Sequence, residues 1–113
     1  MLIAVPTEGK KGLKDRVSQT FARSQTVTLI SLEEGVPRNV EVRENTAARL
    51  SQGAGPLMVK NLKDWGVQLV LAGEIGPGSS TIAEAFDIKM VKVEPGILVS
   101  NALNSMKPIP KAS

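Results

Sequence analysis

Two segments constrain the fold more than anything else in this chain: "LIAVP", Leu2 to Pro6, and "VQLVLAGEIG", Val67 to Gly76. Each contains an uninterrupted apolar run, so neither run has a polar side to turn to water. Such strands are buried on both faces, as in a sheet covered by helices above and below. Between them the pattern is different. "TVTLISLEEG" alternates β-branched and polar residues from Thr26, and "VPRNVEVREN" alternates Val40 and Val42 with Asn39, Glu41 and Arg43. This is the period of two expected of strands, and "EEGVP" between them reads as a hairpin connection with Pro37 at the turn.

After residue 52 the period lengthens. Ala54, Leu57, Met58, Leu62 and Trp65 fall on one face of a helix in "SQGAGPLMVKNLKDWG". Pro56 suits the first helical position, with Gly55 before it and Gly66 as the stop. "PGSSTIAEAFDI" reads as a second helix. It starts either at a Thr81–Glu84 capping box or earlier, at Gly76-Pro77. "KMVKVEPG" is a short strand, and "ILVSNALNSMK" places Leu98, Ala102, Leu103 and Met106 on one helical face.

The element order is βββαβαβα. Strands joined through helices run parallel with right-handed crossovers. The expectation is an α/β fold with a five-stranded mixed sheet in the order 3-2-1-4-5, strand 2 antiparallel and helices on both faces. With 113 residues the chain can bury one core without staples. It reads as a single domain over 1–106 followed by a loose tail, 107–113.

Composition removes several chemistries. There is no cysteine and no histidine, which excludes thiolate and imidazole nucleophiles, the usual zinc sites and the commonest general base. Aromatic residues are only 3% of the chain, so no stacking platform for single-stranded nucleic acid exists, and a net charge of +3 does not by itself indicate specific nucleic-acid binding. No apolar run has membrane-spanning length and the N-terminus lacks the pattern of a signal peptide, so the expected location is the cytoplasm.

The segments "IAVPTEG", "DRVSQTFARS", "GAGPL" and "AGEIGPG" occur in an order that resembles the dinitrogenase iron-molybdenum cofactor biosynthesis family, over about residues 1 to 106. The resemblance implies a ribonuclease-H-like fold and a small, non-enzymatic carrier in the setting of nitrogen fixation. Its cargo would be an iron-molybdenum cofactor precursor, an iron-sulfur cluster or a related small anion. It also implies a cofactor-assembly protein as a partner. Where the family often has His-Phe-Gly-Arg, this chain has Thr20, Phe21, Ala22 and Arg23, and Gln52 stands where a histidine is common. Any cluster would therefore be held without Cys or His ligands.

Open α/β sheets bind ligands beyond the carboxyl ends of strands where the strand order reverses. Here that is the crevice between strands one and four, flanked by residues 7–24 and 74–80. The candidate ligand-binding residues are Thr7, Arg16, Arg23, Gly53, Gly55, Glu74, Gly76, Gly78 and Ser79. "GPGSS" opens a helix and offers free amides to an anion, or else is merely a tight connection; "GAGP" has the same two readings. Arg16 and Arg23 are expected either to face the same anion or to be solvated loop residues. Phe21 reads as the anchor of its loop. A protein-interaction module that has lost its cofactor is the second reading. A metal-dependent nuclease using Glu8, Glu74 and Asp15 is the third.

Overall fold

The computed structural model describes residues 1–106, and the expected tail, 107–113, lies outside them. Five strands and three helices follow in the order β1 (Leu2–Thr7), β2 (Thr26–Glu33), β3 (Val36–Glu44), α1 (Ala54–Asp64), β4 (Leu69–Ala72), α2 (Pro77–Ala85), β5 (Lys89–Lys92) and α3 (Val99–Asn104). The sheet order is β3-β2-β1-β4-β5. β2 runs antiparallel to both β1 and β3, while β1, β4 and β5 are mutually parallel. This is the arrangement expected from the sequence, and it is consistent with a ribonuclease-H-like order.

Alternation along the strands divides the core between two layers. Ala4, Val27, Leu29, Val70 and Ala72 face α1 and α2, where they meet Met58, Val59, Leu62 and Ala83. Ile3, Val5, Ile30, Leu69 and Leu71 face the other way, onto Val99, Ala102 and Leu103 of α3. β1 and β4 are buried on both sides, which explains why "LIAVP" and "LVLA" carry no polar face. β3 and β5 are the sheet edges and hold no fully buried residue.

Several boundaries differ from the sequence-based expectation. α1 begins at Ala54 with Gly53 as its N-cap, so Pro56 is its third residue, not its first. Proline is tolerated there because a first-turn amide has no intrahelical acceptor. α2 starts at Gly76-Pro77, and the Thr81 hydroxyl donates back to the Pro77 carbonyl at 3.0 Å, so it does not cap. α3 is a short helix with Leu98 as N-cap and Val99 in the buried set. Glu34 and Gly35 make the hairpin turn, with φ of 54° and 79°, the left-handed pair that matches strand twist. Pro37 lies beyond the turn, opposite Leu32 on the edge strand. Two short 3-10 turns, Gly12–Lys14 and Thr46–Arg49, had no periodic signal to reveal them.

Candidate functional site

β1, β3 and β4 end on the same side of the sheet, and α1 and α2 start there. The chain between β1 and β2 wraps over this end. Its first part lies on the α3 side: Val17 bridges Thr7, Arg16 bridges Leu98, and Val17 packs in the α3 layer. Its later part lies on the α1 side, where Phe21 is 2% exposed among Ala4, Val27, Leu29, Ala47 and Met58. The loop thus straddles the sheet, with Phe21 as its anchor.

That crossing fills the crevice expected to hold a ligand. The Ser18 amide donates to the Pro6 carbonyl at 2.8 Å, and Gly96 donates to the Val17 carbonyl at 2.8 Å. Gly73, directly after β4, is so close to this crossing that a Cβ there would lie 2.5 Å from the Ser18 carbonyl oxygen and 2.9 Å from Pro95 Cβ. The space between the ends of β1 and β4 is therefore occupied by residues 17–18 and 95–97 of the chain itself.

The candidate residues separate accordingly. Thr7 is fully buried on the α3 side, its hydroxyl 2.6 Å from that of Thr26 and 3.0 Å from that of Thr28. Arg16 donates to the Gly96 carbonyl at 2.9 Å, also on the α3 side. Arg23 lies on the α1 side and grips the loop that leads into α1, donating to the carbonyls of Ala48 (3.2 Å), Leu50 (2.8 Å) and Ser51 (3.3 Å). The two arginines are not brought together. Asp15, the third carboxylate of the nuclease reading, is buried, and its two oxygens accept the amides of Lys11 (2.9 Å) and Arg16 (2.7 Å). No group of three metal-ligating acidic side chains converges among the described residues. Glu74 is exposed beside the start of α2.

The glycine-rich segments, by contrast, are brought together. Gly55 in the first turn of α1 faces Ser79 in the first turn of α2; a Cβ on Gly55 would sit 2.7 Å from Ser79 Oγ. Neither helix has a side-chain cap at its start. The first intrahelical bonds run from Leu57 to Gly53 at 3.1 Å and from Ser80 to Gly76 at 3.0 Å. The amides of Ala54, Gly55, Gly78 and Ser79 precede those bonds, and Pro56 and Pro77 remove one donor from each set. Two positive helix ends thus meet on a rim whose Gly53, Pro56, Pro77 and Gly78 are exposed.

Asn45 supports this rim, and sequence reasoning missed it. Its side-chain oxygen accepts the Ala47 amide at 3.1 Å, capping the 3-10 turn, while its amide group donates to the carbonyls of Ala22 and Ser24 at 2.9 Å. An asparagine ahead of "TAA" is a recognisable cap signal, but its second set of partners has none. Arg23 is the other support. Arg23→Ala is expected to lower stability by about 1 kcal/mol, the small net worth of exposed bonds. It should also speed amide exchange through Ser51–Gly53. An unchanged exchange pattern would mean that the grip holds nothing.

The model of the family described as dinitrogenase iron-molybdenum cofactor matches residues 1–108. The chain belongs to that family. Among solved structures, the apo form of the orange protein from Desulfovibrio gigas is similar at a TM-score of 0.85 and 27% identity, covering 99% of this chain and 92% of that one. A protein from Thermotoga described as a putative NifB protein of the DUF35 family aligns at a TM-score of 0.76 and 31% identity, covering 96% and 88%. An uncharacterized protein of Methanocaldococcus jannaschii is 27% identical over 92 residues, 81% of this chain and 74% of that protein. Within the family this chain offers no thiolate or imidazole, so direct coordination by the soft donors that clusters usually take is not available. The donors that remain at the rim are backbone amides and the Ser79 hydroxyl.

Proposed function

We propose that the chain is a non-enzymatic carrier of the cofactor-biosynthesis type. Its cargo would be an anionic iron-sulfur or molybdenum-containing species, or a related small anion, held at the rim where α1 and α2 begin. The observation that carries this reading is the contact of two helix starts, each without a side-chain cap, at Gly55 and Ser79. Backbone amides and helix dipoles favour an anion without needing a ligand that binds the metal. Family membership supports the same reading, as does the likeness to a protein known in an apo form, which is by name a ligand-free state. Gly53, Gly55, Gly76, Gly78 and Ser79 would line the cargo, with Glu74 at the margin and Arg23 as a positioning residue. Arg16 and Thr7 would act only through the loop they hold. A cofactor-assembly protein as partner and a cytoplasmic location belong to the same proposal.

Gly78→Asp tests it. Nothing lies within 4 Å of a Cβ at Gly78, so the substitution fits. An acid in a first helical turn is favourable, and stability should hold or rise by about 0.5 kcal/mol. The same charge would repel an anion at the rim. Titration calorimetry with an isolated cofactor precursor should show affinity falling about tenfold or more in the variant, as expected for like charges a few ångströms apart. Equal affinity in the two proteins would place the anion elsewhere.

The second reading, an interaction module that has lost its cofactor, draws on the missing histidine and cysteine. A stable protein partner, together with no heat from any cluster, would favour it.

A further inference from the structure

We propose that two copies of this chain pair antiparallel through the outer edge of β3, about a two-fold axis at Val42. β3 ends the sheet, and all of its residues are at least partly exposed. The opposite edge, β5, is only Lys89–Lys92, with an exposed lysine at each end, a short and charged strand of the kind that resists pairing. β3 is twice as long and only half guarded. Its first part carries Pro37 and the register shift opposite Ser31 and Leu32, while the stretch from Val40 to Glu44 pairs regularly with Ile30 to Thr26.

The Asn45 amide donates to the Gln25 carbonyl, so Asn45 points toward β2. By alternation the amides of Arg43 and Glu41 also point inward, and those of Val40, Val42 and Glu44 point out. Pairing through these outward groups sets Val42 against Val42 of the second copy and Val40 against Glu44 of the second copy. Glu41 then lies opposite Arg43 of the second copy in a pair not joined by backbone hydrogen bonds, where side chains approach closest. Symmetry repeats that pair, and charges of opposite sign alternate around the group of four. Arg43 is already placed for this, 5.0 Å above the Trp65 ring and paired with Glu41 of its own strand.

The neighbouring registers are selected against. One sets Glu41 against Glu41 of the second copy and the other sets Arg43 against Arg43 of the second copy, and like charges directly opposite destabilise a sheet. A further shift runs the pairing into the bulge. An unrelated strand would have to supply the Arg–Glu alternation independently, whereas a second copy supplies it by symmetry.

Sedimentation equilibrium of the whole chain from micromolar to millimolar concentration tests the pairing, with amide exchange as the local readout. The expected result is a reversible dimer. Exchange at Val40, Val42 and Glu44 slows as it forms, while Glu41 and Arg43 are protected throughout. Glu41→Lys and Arg43→Glu should each weaken the dimer about tenfold, since each breaks both cross-strand ion pairs. The double exchange should restore it, and the denaturation midpoint of each variant separates loss of pairing from loss of fold. A monomer at every concentration would overturn the proposal, as would a dimer insensitive to Glu41→Lys or one in which Val40, Val42 and Glu44 still exchange freely.

Discussion

Phe21→Ala is expected to lower stability by about 3–5 kcal/mol, the range for removing a fully buried ring. Phe21 is 2% exposed and is among the largest side chains that are fully buried. It belongs to a core cluster built from β1, β2, α1, β4, α2 and the 3-10 turn at Thr46–Arg49, so no single element can close the space left behind. A domain of this size has a total stability of roughly 5–15 kcal/mol, so the loss removes a large part of it. The chemical-denaturation midpoint should fall clearly. An unchanged midpoint would show that the ring is not the anchor of the loop.

Gly73→Ala should also be damaging, for a different reason. The residue has no left-handed φ, so its backbone conformation would accept alanine. Its difficulty is space: the new Cβ would meet the Ser18 carbonyl oxygen at 2.5 Å and Pro95 Cβ at 2.9 Å. Neither neighbour is the free end of a flexible side chain. The 17–18 crossing would have to lift away from the end of β4, breaking the bonds from Ser18 to Pro6 and from Gly96 to Val17. Overpacking of this kind costs about 1–3 kcal/mol, sometimes more. Gly53→Ala makes the contrast. There φ is 77° and nothing lies within 4 Å of the new Cβ, so the cost is backbone strain alone, about 1–2 kcal/mol. Denaturation curves of the two variants would rank them. A Gly73→Ala protein as stable as the parent would mean the crossing is loosely held.

The sheet was legible because its signals are local and repeated. The doubly buried strands β1 and β4 have no polar face, the β2–β3 hairpin alternates, and α1 and α3 show a helical period. Phe21 was legible as an anchor, being an isolated aromatic in a polar loop. The partners of Arg16 and Arg23 were not, because each grips backbone carbonyls, which carry no residue signature. Asp15 misled for a related reason: beside Glu8 and Glu74 it reads as a third metal-ligating carboxylate, yet it accepts two amides of its own loop. The adjacency of β1 and β4 followed from the strand order, but the filling of the space at their ends did not. Gly73 signals a close approach, and only the fold says what approaches. The glycine segments were recognised separately, and their meeting at Gly55 and Ser79 depends on how α1 packs on α2.

The proposed carrier role stands or falls with an anion at the rim where α1 and α2 start. Backbone amide chemical shifts, followed during titration with an isolated cofactor precursor, test it most directly. Saturable shifts centred on Ala54, Gly55, Gly78 and Ser79, with smaller ones at Arg23 and Gly53, are the expected result. Shifts confined to the basic stretch from Lys10 to Arg16, or none at the four rim amides at saturation, would contradict it.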